Sequence, residues 1–253
     1  MSLKLYAFTV GWITTSIGSL IEGERAKIRL PVPSYLIEHP KGRVLFDSGL
    51  HPETQVDFRA RLGPLARFFT VHFEPGEEIG TQLAKVQVDK DAIDILVNSH
   101  LHYDHAGGNE QIRNARLHVQ RREWDAAHQP EQIVENSYLP TDYDHGHDLR
   151  LLDGEHDLFD DGSVVCFPTY GHTPGHQSVK LRDGAQEIVL CGDACYLRRN
   201  LEEMRLPPIV HDRAAMLDSL QRIRALRDRG ARIFYGHDPE FWQTLPQAPQ
   251  RIL

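Results

Sequence analysis

Three short apolar runs in this chain stop at a glycine and pass at once to a residue that binds metals. "CFPTYGH" ends on His172, "VLCGD" on Asp193 and "FYGH" on His237. A fourth run, "DILVNS", leads straight into "SHLHYDHAGGN" at residues 99–109, where three histidines and an aspartate fall within six positions. Apolar runs of this length, bounded by turn residues, read as buried strands. Glycine after a strand permits a sharp turn and close backbone approach. Ligands at the ends of several strands converge on one rim of a sheet. The chain must therefore fold so that distant segments meet at their strand ends.

The geometry of the motif divides it. Alternate side chains of an extended segment face the same way, so His100 and His102 can share one metal. Asp104 continues the alternation, but His105 is its neighbour and cannot. The chain is expected to turn there, with Gly107 and Gly108 supplying the means and Asn109 capping a following helix. Asp104 and His105 would face a second metal. Of the strand-end residues, His172 would complete three histidines on metal one, and His237 would join Asp104 and His105 on metal two. Asp193 has two carboxylate oxygens and would bridge both. Imidazole and carboxylate ligands without thiolate suit two Zn²⁺, with Mn, Fe or Co as alternatives. Coordination positions left for water mark a catalytic rather than a structural site.

The remaining pattern is strands with interspersed helices. "LKLYAFTV" reads as a strand and "PSYLIEHPKGRVLFDSG" as a hairpin about Pro-Lys-Gly. "EEIGTQLAKV" and "RREWDAAH" read as short helices. "AIDILVNS", "RLHVQ", "RLLD", "SVVCFPT", "QSVKL", "EIVLCGD" and "RIFYGHD" read as strands. The clearest helix spans residues 212–229, with Met216, Leu220, Ile223 and Leu226 at helical spacing, Asp212 as N-cap and Gly230 as terminator. This predicts a mixed α/β sandwich in one domain over residues 1–253. Residues 53–88 break the texture. There "RLGPLARFF" is either a lid, whose Leu65, Phe68 and Phe69 grip an acyl chain or a partner subunit, or an irregular packed insertion. Leu20 and Ile21 carry the same ambiguity. Asp47, ending "VLFD", is the candidate to orient a ligand histidine by hydrogen bond.

With the order H-x-H-x-D-H, Gly-His, Gly-Asp, Gly-His, the chain resembles the metallo-β-lactamase superfamily over nearly its whole length. "SHLHYDHAGGN", "VQRREWDAA", "GHTPGHQS", "GDACY" and "GHD" look in particular like the N-acyl-homoserine lactone lactonases, the quorum-quenching enzymes. The resemblance implies a four-layer αβ/βα sandwich (α/β, or α+β by some schemes) with a dinuclear metal site at one rim. It puts Tyr103 at the substrate wall; Leu20, Phe68 and Phe69 are further wall candidates on their own apolar setting, and residues 53–88 depart from the family's pattern. It places Tyr196, three residues after Asp193, beside the reacting carbonyl. The expected reaction is lactone opening by a hydroxide held between the metals. Tyr196 would stabilise the oxyanion, and Asp104 would carry the proton to the leaving oxygen.

Composition narrows the rivals. A formal net charge of -8 argues against nucleic acid as partner. The arginines 222, 224, 227 and 229 are interrupted by Asp228 and read as a solvated helix face. Three cysteines, Cys166, Cys191 and Cys195, give no disulfide framework and fit a reducing compartment. No apolar run approaches the roughly 20 residues of a membrane span. The expectation is a cytoplasmic enzyme acting on a small-molecule lactone, without membrane or nucleic-acid partners, with a homodimer as a candidate assembly. The alternatives are another lactone such as 4-pyridoxolactone, a glyoxalase II-like thioester, and metal binding without turnover. The aspartate at 193, where β-lactamases usually carry cysteine, disfavours β-lactam cleavage.

Overall fold

The computed structural model describes residues 3–253. Two sheets form the centre. The first takes its strands from the N-terminal part: β1 (Lys4–Ser16), β2 (Lys27–His39), β3 (Gly42–Phe46), β4 (Thr70–His72), β5 (Ile95–Val97), β6 (Arg116–Gln120) and β7 (Leu149–Leu152). Their order is β4-β1-β2-β3-β5-β6-β7, antiparallel as far as β3 and parallel from β3 to β7. The second runs β12-β11-β10-β9-β8, built from β8 (His156–Asp157), β9 (Val164–Pro168), β10 (Gln177–Asp183), β11 (Gln186–Leu190) and β12 (Arg232–Phe234). Only β11 and β12 pair in parallel within it.

Period-two alternation assigns each strand's residues to a layer. Val44, Phe46 and Val97 face the core shared with the second sheet, together with Val164, Val179 and Ile188. Leu45 and Leu96 point the other way, into an outer cluster with Ile79 and Leu83 of α2 (Ile79–Ala84). Outside the second sheet lies the long helix Arg213–Asp228, whose Met216, Leu220, Ile223 and Leu226 are buried against it. The layers are thus helix, sheet, sheet, helix. The Asp212 carboxyl accepts from the N–H groups of Ala214 and Ala215, an N-cap, and Gly230 follows the helix at φ 102°.

Several elements differ from the sequence reading. The first strand runs six residues further, to Ser16, and the hairpin strand begins at Lys27 rather than Pro33. Proline lacks a ladder donor, so Pro31 and Pro33 argue against a central strand. The strand tolerates them because its register with β1 shifts between Thr9 and Trp12. Residues 53–88 hold a helix α1 (Glu53–Leu62) broken at Asp57, a short 3₁₀ turn, strand β4 and α2. Through β4 the segment becomes the edge of the first sheet. Among the described residues no helix is long and apolar enough to cross a membrane.

Candidate metal centre and substrate pocket

The motif after β5 turns earlier than expected. His102, in extended conformation, precedes a single helical turn, α3 (Tyr103–Ala106). The turn needs no glycine. Gly107 and Gly108 instead allow close packing: a Cβ on Gly107 would lie 2.5 Å from the His51 nitrogen, and one on Gly108 2.4 Å from the Ser48 oxygen. Asn109 caps no helix. Its buried side chain accepts from the Ser48 hydroxyl at 2.7 Å and donates to Asn98 Oδ1 at 2.8 Å, tying the motif to the loop after β3.

All seven expected ligands meet at one rim. His100 Nε2, His102 Nδ1 and His172 Nε2 lie 2.9, 3.1 and 3.2 Å from one another. Nitrogens each ~2.0–2.1 Å from a tetrahedral zinc stand about 3.3 Å apart, so the cluster has the right size. The second group is Asp104, His105 and His237. Asp193 divides its oxygens between the two: Oδ1 is 3.0 Å from His237 Nε2 and 3.3 Å from His105 Nε2, and Oδ2 is 3.4 Å from His172 Nε2.

Hydrogen bonds behind the rings fix which nitrogen faces the centre. His102 Nε2–H donates to the Asn136 carbonyl at 2.7 Å and His237 Nδ1–H to the Pro31 carbonyl at 2.8 Å. Asp47 takes the Nδ1–H of His105 at 2.9 Å on Oδ2, and the Ser99 N–H at 2.7 Å on Oδ1. Asp47 itself holds φ 59°, an uncommon conformation for a non-glycine residue, which points its carboxyl under the motif. Each of these rings, when neutral, thus turns a lone pair inward. His105 Nε2 and Asp193 Oδ1 are buried without any hydrogen bond, an orphaned pair a cation would satisfy.

Electrostatics agree. Burial, together with the neighbouring imidazoles, holds His100 well below the usual histidine range. His172 lies well below it as well, because burial outweighs the Asp193 carboxylate. Burial alone would also lower His105 and His237, but the carboxylates of Asp193 and Asp104 outweigh it and raise both. The half with two carboxylates calls for positive charge; the all-histidine half offers neutral donors. These residues fit a divalent metal centre.

Above the centre opens a cavity of about 330 Å³. Tyr103, Phe68, Phe69, Leu65 and Leu20 all line it, and Tyr103 stacks on Phe69 with ring centroids 5.0 Å apart. Ile21 is buried in the core instead. Ile13, Leu30, Ser137 and Ile209 also line it, and nothing in their sequence neighbourhood marked them. The Tyr196 hydroxyl is 2.9 Å from His172 Nδ1. Burial, then the charges of Asp193 and Asp104, hold Tyr196 well above the usual tyrosine range, so it keeps its proton. His176 is no ligand: its Nε2 accepts the Asp193 N–H at 3.0 Å and its Nδ1 meets Thr169 Oγ1 at 2.9 Å, which fixes the turn that presents Asp193. The loop histidines His145 and His147 lie outside these ligand groups.

Comparison with known proteins agrees with this geometry. The Metallo-beta-lactamase superfamily matches residues 28–237. N-acyl homoserine lactonase AttM of Azorhizobium caulinodans is 30% identical over 256 residues, covering 98% of this chain and 97% of that protein. N-acyl homoserine lactonase of Bacillus thuringiensis is 30% identical over 236 residues, covering 89% and 88%. A crystal structure of a B. thuringiensis AiiA variant, with N-decanoyl-L-homoserine at its active site, superposes with a TM-score of 0.89 at 27% identity over all of both chains. The chain belongs to the metallo-beta-lactamase superfamily and stands close to its N-acyl homoserine lactonases.

Proposed function

We propose that this protein is a dinuclear zinc hydrolase that opens the lactone ring of N-acyl homoserine lactones. One observation carries the reading: a cluster of seven ligand side chains lies at the floor of a cavity whose walls are mainly apolar, and five of them (His102, Asp104, His172, Asp193 and His237) line it. Such a cavity suits a substrate with a polar ring and an apolar tail, and relatives similar over about nine-tenths of the chain or more are named for that substrate. When bound, the metal supplies Lewis acidity and a water acidic near neutral pH, with a pKa of about 7.

The chain's own residues supply the rest. His172 Nδ1–H donates to the Tyr196 oxygen, which leaves the tyrosine proton free for an oxygen that gains charge at the carbonyl. Asp104 lines the pocket and belongs to the ligand cluster. It is placed to take a proton from the attacking water and return it to the ring oxygen. One carbon–oxygen bond forms, the ring carbon–oxygen bond breaks, and the product is the open N-acyl homoserine. Tyr103, Phe69, Phe68 and Leu20 hold the tail. Cys166, Cys191 and Cys195, buried and unpaired, suit a cytoplasmic location.

The deciding experiment is purified protein of measured metal content assayed against acyl-homoserine lactones, 4-pyridoxolactone, S-lactoylglutathione and a β-lactam. Ring opening of the acyl-homoserine lactones is expected. Turnover of the thioester with no lactone opened would overturn the reading.

A further inference from the structure

Glu123 is fully buried and belongs to none of the ligand groups. It stands in α4 (Arg121–Ala126), directly after β6. Its carboxyl accepts four hydrogen bonds from three separate segments. Oε1 takes the Leu101 N–H at 3.0 Å and the Tyr138 hydroxyl at 2.9 Å. Oε2 takes the Thr173 hydroxyl at 2.8 Å and the Gly175 N–H at 2.9 Å. Leu101 lies between His100 and His102. Thr173 follows His172. Tyr138 lies two residues beyond Asn136, whose carbonyl fixes the His102 tautomer, and its ring is 5.7 Å from the His102 ring. The contact is close: a Cβ on Gly175 would sit 2.1 Å from the Glu123 nitrogen.

Both segments that supply the histidines of this half, and the one whose carbonyl orients His102, are thus pinned to one carboxyl. The other half is held by different groups, His105 by Asp47 and His237 by the Pro31 carbonyl. We propose that Glu123 is the positioning residue of the three-histidine half-site, setting the affinity of that half alone. The inference rests on the metal-centre reading above but not on the lactone as substrate.

The test is zinc binding by the full-length protein. Glu123→Gln keeps the size but turns an amide NH₂ toward one pair of donors. With folding checked by circular dichroism, graded chelation and zinc re-titration of Glu123→Gln should show one of two zinc equivalents weakened about 10–100-fold. The other should match the wild type. In a His237→Ala background the change should still weaken the zinc that remains; in a His172→Ala background it should add nothing. Loss of stability alone cannot give this pattern, and Leu226→Ala, remote in the core, should lower stability with both zinc affinities intact. Equal weakening of both equivalents, or of neither, would overturn the assignment. Should Glu123→Gln not fold, Thr173→Val and Tyr138→Phe each remove one donor and should shift the same equivalent by a smaller factor. Two unshifted equivalents in both would also overturn it. A protein inactive on lactones would leave this readout untouched.

Discussion

The Tyr196 hydroxyl touches His172 and lines the pocket, so removing it acts through two channels that can be separated. Tyr196→Phe leaves His172 Nδ1 without its partner and takes one proton donor from the reacting carbonyl. The second loss costs about 10²–10³ in turnover where a site uses such a donor. The expected outcome is a kcat lower by that factor with both metals still bound, from kinetics paired with metal analysis on one sample. Lost metal with normal kcat on reloading would reduce Tyr196 to a support for His172. At this scale the sequence was legible wherever a ligand stood just after an apolar strand, as His172, Asp193 and His237 do. Glu123 was not, because its four donors come from residues 101, 138, 173 and 175, and no local pattern marks their meeting.

At the scale of elements, the turn after β9 shows how packing reaches the site. Gly171 holds φ 124°, and a Cβ there would lie 2.1 Å from the Met216 nitrogen in the long helix 213–228. The Asp212 N–H donates to the Gly171 carbonyl at 2.9 Å. Gly171→Ala must push this turn, and His172 with it, away from the helix. Asp212→Ala removes only the cap, at a cost of about 1 kcal/mol. The glycine change should therefore weaken metal binding as well as stability in urea, and the cap change stability alone. Equal zinc affinity in the two variants would contradict the argument. The boundaries of residues 53–88 escaped the sequence for a related reason. Their helix breaks at Asp57, and β4 exists only because β1 extends to meet it at Trp12, Ile13 and Thr14.

Glu78 is the joint of that same segment. Burial would raise its pKa, but the Thr81 hydroxyl, the Gln55 amide and the Gly76 N–H bond the carboxylate and lower it to about 2. A carboxyl depressed on folding adds stability above its unfolded pKa, about 4.5, and loses it as pH falls through 2. Stability of the wild type should decline across that window, and Glu78→Gln should flatten part of the decline in urea titrations at stepped pH. An unchanged slope would show that Glu78 is not a source of it. The effect should be small, since the group is only part-buried and water screens it.

For the whole molecule, the ligand loops leave both sheets: His100, His102, Asp104 and His105 follow β5 of the first, while His172, Asp193 and His237 follow β9, β11 and β12 of the second. This is why the convergence of the ligands on one rim could be read from strand-end chemistry, whereas the layer order came only with the family resemblance and part of the cavity wall could not be read at all. Ile13, Leu30 and Ile209 reach the pocket from strands and a loop whose apolar side chains look like any other core residue. With this division, a metal held by these residues would act as a clasp between the sheets. A ligand that binds only the folded state stabilises it by RT ln(1 + [L]/Kd), ~4.1 kcal/mol at a thousandfold excess over Kd. Chelation should therefore lower the urea midpoint by an amount that grows with the zinc concentration of the reference sample. The slope of the transition should not change, because the surface exposed on unfolding is the same. In the chelated form His105 and His237 draw in protons held by the Asp193 and Asp104 carboxylates, and this uptake offsets part of the loss at lower pH. That form should also regain stability more steeply with zinc at pH 8 than at pH 6, where protons compete for the same nitrogens. Coincident transitions for chelated and zinc-loaded protein would mean that the sheets hold together without the clasp, and that the ligands are gathered by packing alone.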